Sequence, residues 1–274
     1  MTNQPTARPP SPISASRLLA AREWPILLAL VVPAAAVWVL LELADEVREG
    51  STSALDEALL LLFRNPVDHA DPLGPPWLQE MMRDFTALGG VGVLSLIALG
   101  ACGYLILVRK RRVALAVLLA VAGGVLLSQL IKAGIDRPRP DLVPHGSYVS
   151  TASFPSGHSM MAATVYLTLA AMLARVQPRW RSRSYLIGCA VFIVLLVGIS
   201  RVYLGVHWPT DVLAGWSVGG GWAIGCWGMT LWLQRRGAVE GEGDRPADGT
   251  VPQGGQGTDS TARAAGPALK VRDR

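Results

Sequence analysis

The histidines His158 and His207, the carboxylate Asp211 and the cations Lys132, Arg139 and Arg201 fall in three short clusters between Lys132 and Asp211. The first cluster runs from Lys132 to Arg139-Pro140, the second is Pro155-Ser156-Gly157-His158, and the third is Ser200-Arg201 followed by His207 and Asp211. These residue types suit the handling of a phosphate ester. Such a substrate carries about two negative charges, so cations and backbone N–H groups must hold it. A nucleophile must attack phosphorus and an acid must protonate the leaving oxygen. Lys132, Arg139 and Arg201 supply cations. Asp211, four residues after His207, accepts one imidazole N–H and leaves the other nitrogen free to attack. His158 suits proton donation. Ser156 is a helix N-cap residue, Gly157 has no side chain to block a ligand, and a helix N-terminus is an anion site. The plainer alternatives are that Lys132 and Arg139 cap a helix end and that His207 and Asp211 pin a loop.

The elements that must position these groups are apolar. Of 274 residues, 51% are hydrophobic and 16% charged, against about 25% charged in a soluble domain. Apolar runs predict spans at about 25–44, 90–108, 113–132, 156–174, 185–202 and 209–233, each near the ~20 residues a bilayer core requires. The expected organisation is a disordered segment 1–22, a six-span domain 23–235 and a disordered tail 236–274, the two ends being poor in large apolar residues. Between the first two spans, Ser53 begins a short helix with Asp56 and Glu57 in its first turn, and Trp77–Leu88 reads as an interfacial or covering helix. Cys102, Cys189 and Cys226 lie in apolar runs without metal or disulfide spacing. His69, His145 and Asp136 read as loop polar residues.

Basic residues precede the first span and occupy 109–112, 175–183 and 235–236. The positive-inside rule puts all of these on the cytoplasmic side. Both termini are then cytoplasmic, and all three polar clusters face outward. The net charge of +5 speaks to topology rather than to nucleic acid, which is not expected as a partner.

The three clusters resemble the signature motifs of the type-2 phosphatidic acid phosphatase superfamily: K-x6-R-P as Lys132…Arg139-Pro140, P-S-G-H as Pro155–His158, and S-R-x5-H-x3-D as Ser200-Arg201…His207…Asp211. The resemblance covers about residues 90–233. It implies an all-α, six-transmembrane helix bundle in the inner (plasma) membrane, with its active site at the outer face. It implies a lipid phosphatase in which His207 forms a phosphohistidine, Asp211 orients it and His158 protonates the leaving group. Lys132, Arg139, Ser156, Gly157 and Arg201 would bind the phosphate. No metal or other cofactor is implied, and the sequence contains no carboxylate cluster suited to Mg²⁺. The expected partners are the membrane and a lipid phosphate, with undecaprenyl pyrophosphate favoured by family analogy and phosphatidylglycerol phosphate or phosphatidic acid as alternatives. The non-enzyme alternative is an anion or lipid transporter, which would spread polar groups through the spans rather than gather them at one face. The small-residue runs Gly123-Gly124 and Gly219–Gly221 permit close helix packing, within the chain or between chains; the oligomeric state is left open.

Overall fold

The computed structural model describes residues 12–147, 151–175 and 177–236. Eight α-helices account for these residues: α1 (Pro12–Glu49), α2 (Ser53–Leu61), α3 (Pro76–Ala87), α4 (Val91–Leu107), α5 (Arg111–Gly134), α6 (Gly157–Arg175), α7 (Trp180–Tyr203) and α8 (Pro209–Arg235). The described residues hold no strand, only an isolated bridge between Arg64 and Pro72. Helix α1 starts at Pro12, inside the segment 1–22 that was expected to lack structure. The tail expected at 236–274 lies outside the described residues apart from Arg236.

Four helices are long and apolar enough to cross a bilayer: Trp24–Glu49 within α1, then α5, α6 and α7. Helices α3 and α4 meet at 46° across a short break and together qualify as a fifth, broken span. Helix α8 is rich in Gly and Trp, which contribute little hydropathy, and it falls short by composition although it is 27 residues long. Large apolar side chains such as Leu30, Trp38, Leu96, Leu119 and Phe192 stand exposed around the bundle. A soluble monomer rarely exposes so much contiguous apolar surface, whereas a bilayer solvates it.

Helix α8 packs most extensively against α1 and α6, and α6 against α7. Small residues make this possible. A β-carbon on Gly215 would approach the Ser156 carbonyl oxygen to 2.8 Å, and one on Gly219 would overlap the Met160 carbonyl. Gly124 faces Thr164, Gly123 faces Trp222, and Gly221 faces Ala36. Both small-residue runs therefore pack within the chain. Gly219→Ala should destabilise the detergent-solubilised protein by about 1–3 kcal/mol, the usual cost of overpacking, because the obstructing atom is backbone and cannot swing away. Its melting temperature should fall, whereas Gly100→Ala, which meets nothing within 4 Å, should leave it unchanged or raised.

Candidate active site

The end of α7 delivers the third cluster. Gly205 has φ +69°, a left-handed conformation that suits glycine. Its N–H reaches the Val202 carbonyl at 2.9 Å, and the Val206 N–H reaches Arg201 at 3.2 Å. These two bonds make a Schellman motif, which ends α7 at Tyr203, two residues after Arg201, and turns the chain toward His207. Pro209 then opens α8 at N1, where its fixed φ suits the first turn. Asp211, at N3, accepts the Trp208 backbone N–H at 2.9 Å, the return half of a capping box.

His207 and Asp211 are buried, at 2% and 0% exposure. Asp211 Oδ2 lies 3.4 Å from His207 Nδ1 and also accepts the Ser153 hydroxyl. On the opposite edge of the ring, Arg139 Nη1 lies 3.2 Å from Nε2. Arginine can only donate, so this contact places the lone pair on Nε2 and the proton on Nδ1, facing Asp211. Burial pushes the His207 imidazole down to about 4, against the opposing pull of Asp211. The ring is therefore neutral near pH 7, with Nε2 directed at a cation-lined space.

Arg139 also binds the Val206 carbonyl at 2.6 Å and the Thr151 carbonyl at 2.9 Å, which fixes its fork. Burial lowers its pKa, opposed by Asp211. Lys132 reaches from the last turn of α5 to the Ala152 carbonyl at 2.7 Å, and its Cε would lie 3.7 Å from a β-carbon on Gly157. Arg201 binds the Thr86 hydroxyl at 3.0 Å, while its buried Nε is without a partner. His158, in the first turn of α6, is within electrostatic reach of Arg201, His207, Arg139 and Lys132. Ser156 is fully buried. Its oxygen accepts the Ser159 hydroxyl at 2.9 Å and the Ser159 N–H at 3.5 Å, and its own N–H is bound by the Asp211 carbonyl at 2.9 Å. Its side chain thus closes the first turn of α6, leaving only its own O–H to donate. The three clusters, distant in sequence, converge at one end of the bundle. His145 holds the loop through Pro140.

Four participants were not legible as such in the sequence. Ser153 and Thr86 are uncharged contacts. The other two are Asp56 and Arg137, which form a buried ion pair at 2.7 Å. Arg137 bridges onward to Asp211 Oδ1 at 2.6 Å and stacks over Trp208. Asp56 accepts both the N–H and the hydroxyl of Thr210, at 2.9 and 2.7 Å. The one available signal was spacing: Asp56 and Leu60 are four apart, hence on one helix face, and both are 0% exposed.

Beside the cations a groove of ≈ 220 Å³ runs between α4, α5 and α6. Leu94, Val121, Val125 and Met161 form its walls, and Lys132, Gly157 and His158 its polar end. Its apolar walls lead to the Lys132–His158 end.

Residues 113–235 match the PAP2 superfamily. Phosphatidylglycerophosphatase B of Bacillus subtilis (strain 168) is 39% identical over 184 residues, 65% of this chain and 84% of that protein. The chain belongs to the PAP2 superfamily. The crystal structure of a transmembrane PAP2-type phosphatidylglycerolphosphate phosphatase from Bacillus subtilis superposes with a TM-score of 0.66 at 34% identity, covering 74% of this chain and 98% of that one. Undecaprenyl-diphosphatase of Sulfolobus acidocaldarius is 31% identical over 120 residues, 42% of this chain and 54% of that protein. This PAP2 protein is accordingly a multi-pass membrane enzyme, a hydrolase of lipid phosphate esters.

Proposed function

We propose that His207 is the nucleophile of a phosphohistidine mechanism acting on a lipid phosphate at the outer face of the plasma membrane. The observation that carries this reading is the pair of contacts on one ring, Asp211 at Nδ1 and Arg139 at Nε2. The phosphate enters among Lys132, Arg139 and Arg201, with the N–H groups at the start of α6 and the open face of Gly157 completing the cradle. The His207 Nε2 lone pair attacks phosphorus, the bond from phosphorus to the leaving oxygen breaks, and His158 donates a proton to that oxygen. Water then attacks phosphorus, gives its proton to His158, and the N–P bond breaks to release phosphate. Asp211 orients the ring and stabilises the charge it gains.

The six-span topology with both termini inside belongs to the same proposal. Helix α8 supplies the sixth span: its 27 residues extend about 40 Å at 1.5 Å per residue, and Arg235 and Arg236 at its end sit with the other basic blocks. An apolar domain 23–235 flanked by two extramembrane ends follows. For the substrate, phosphatidylglycerol phosphate stands level with undecaprenyl pyrophosphate, since the relative matched over the longer stretch carries the former activity in its name.

Phosphate release by detergent-purified protein in excess EDTA tests the mechanism, with both lipids and phosphatidic acid as substrates. Release without divalent metal, with labelled phosphate trapped on an acid-labile, alkali-stable residue, is expected. Release that requires added Mg²⁺ would overturn the reading. The pH profile gives a second test. Only the neutral ring attacks, so activity should hold as pH falls through the usual histidine range and drop only near pH 4, where His207 gains its proton. An acid limb in kcat/KM near 6.5 would point to an ordinary, solvated histidine.

A further inference from the structure

A second polar cavity, of ≈ 180 Å³, opens where the loop after α2, α3, the 144–146 turn and the end of α7 meet. Arg64, Gln79, Arg83 and His145 supply its polar side chains, and no carboxylate lines it. Arg64 is the unusual member. It is 4% exposed, donates from Nη2 to the Tyr203 carbonyl at 2.9 Å, and leaves its Nε without a partner. Among the described residues it makes no ion pair. Asp71 attracts it from nearby without forming a direct pair. A buried guanidinium with no directly paired carboxylate is costly, and its planar fork matches an oxyanion. Across the cavity, Arg83 is anchored at the rim by Glu80 at 2.6 Å and by the Gly146 carbonyl at 3.3 Å.

We propose that this cavity is a second oxyanion site, separate from the His207 centre, in which Arg64 and Arg83 hold a phosphate group. Its volume lies below the ~300 Å³ at which drug-sized pockets begin, and it fits a headgroup or a free anion rather than a lipid chain. The site borders the reaction machinery through the chain. Pro144–Gly146 continues the loop that carries Arg139, with His145 bound to the Pro140 carbonyl at 2.7 Å, and Tyr203-Leu204 continues from Arg201. The Gly146 N–H is held by the Leu204 carbonyl at 2.9 Å, so an anion here braces both segments. The proposal stands independently of His207 chemistry.

Equilibrium binding of labelled inorganic phosphate to the full-length, detergent-purified chain tests it. The wild type should bind phosphate at two distinguishable classes of site. Arg139→Ala should remove one class and leave the other. Arg83→Gln should weaken the remaining class about tenfold or more, the scale of one charge-assisted contact, with the melting temperature unchanged because Arg83 is half exposed. Arg64→Gln should abolish it; since Arg64 is buried, its melting temperature is read alongside, and Arg83→Gln decides the matter if Arg64→Gln does not fold. A single class of site in the wild type would overturn the proposal, as would two classes that persist unchanged in Arg83→Gln. Competition separates the sources. Displacement by soluble glycerol 3-phosphate identifies a free anion. Displacement only on reconstitution into vesicles containing phosphatidylglycerol, against vesicles of zwitterionic lipid, identifies a headgroup.

Discussion

Exchanging His207 for alanine will reduce phosphate release from lipid substrates by about 10⁴–10⁶-fold, the range seen when a covalent nucleophile is removed. The three cations proposed to receive the phosphate keep their own anchors, at Ala152, Val206, Thr151 and Thr86. Lipid binding should therefore persist while kcat collapses, and the labelled phosphoenzyme should vanish. Asp211→Asn makes the companion measurement. It keeps the shape but presents an amide where the ring requires an acceptor, and a wrong tautomer in a comparable triad costs about 10⁴-fold. Near-wild-type turnover by His207→Ala in properly folded protein would remove His207 from the mechanism altogether.

The second large effect concerns a residue outside the three motifs. Asp56→Ala should destabilise the protein by about 3–5 kcal/mol, the cost of breaking a buried ion pair by removing one partner. Asp56 is 0% exposed, and three donors converge on it: Arg137 Nη2, the Thr210 N–H and the Thr210 hydroxyl. Its loss would leave the Arg137 guanidinium with Asp211 alone and the start of α8 with an unsatisfied N–H. Melting in detergent reads the stability. The double variant Asp56→Ala/Arg137→Met separates ion pairing from packing, because it removes both charges together. It should be markedly more stable than the sum of the single changes predicts, and additive losses would mean that the pair does not act as a unit. Turnover should fall as well, since Arg137 is one of the groups that position Asp211.

The polar clusters were legible because histidine, aspartate and arginine beside apolar runs are costly and hence informative. His207 and Asp211 face each other as their four-residue spacing suggested, and Arg139 joins them from the loop after α5. Asp56 was not legible for the opposite reason. An acidic residue in the first turn of a short helix is accounted for by the helix dipole alone, and nothing local reveals that its partners lie 81 and 154 residues away. Ser156 illustrates a third case. Its position at the helix start was readable, but its burial behind Ser159 depends on how closely Gly215 lets α8 approach. The boundary expected at residue 90 stands, since α3 ends at Ala87 and α4 starts at Val91; what the sequence did not show is that the two helices meet at 46° across Leu88-Gly89-Gly90.

The distances along the chain also set an order of events. Synthesis proceeds from the N-terminus, and earlier segments fold before later ones are available. Asp56 and Arg137 both leave the ribosome before any residue of α8 exists, and they can neutralise each other at once. The nascent protein then need not hold a lone carboxylate in an apolar setting while it waits. When α8 arrives, Thr210 finds its acceptor and Asp211 its donor already in place. The final helix then docks onto a prepared seat, and His207 meets Asp211 only as the bundle closes, so a chain stalled before α8 would be a membrane protein with Asp56 and Arg137 paired and His207 without its carboxylate.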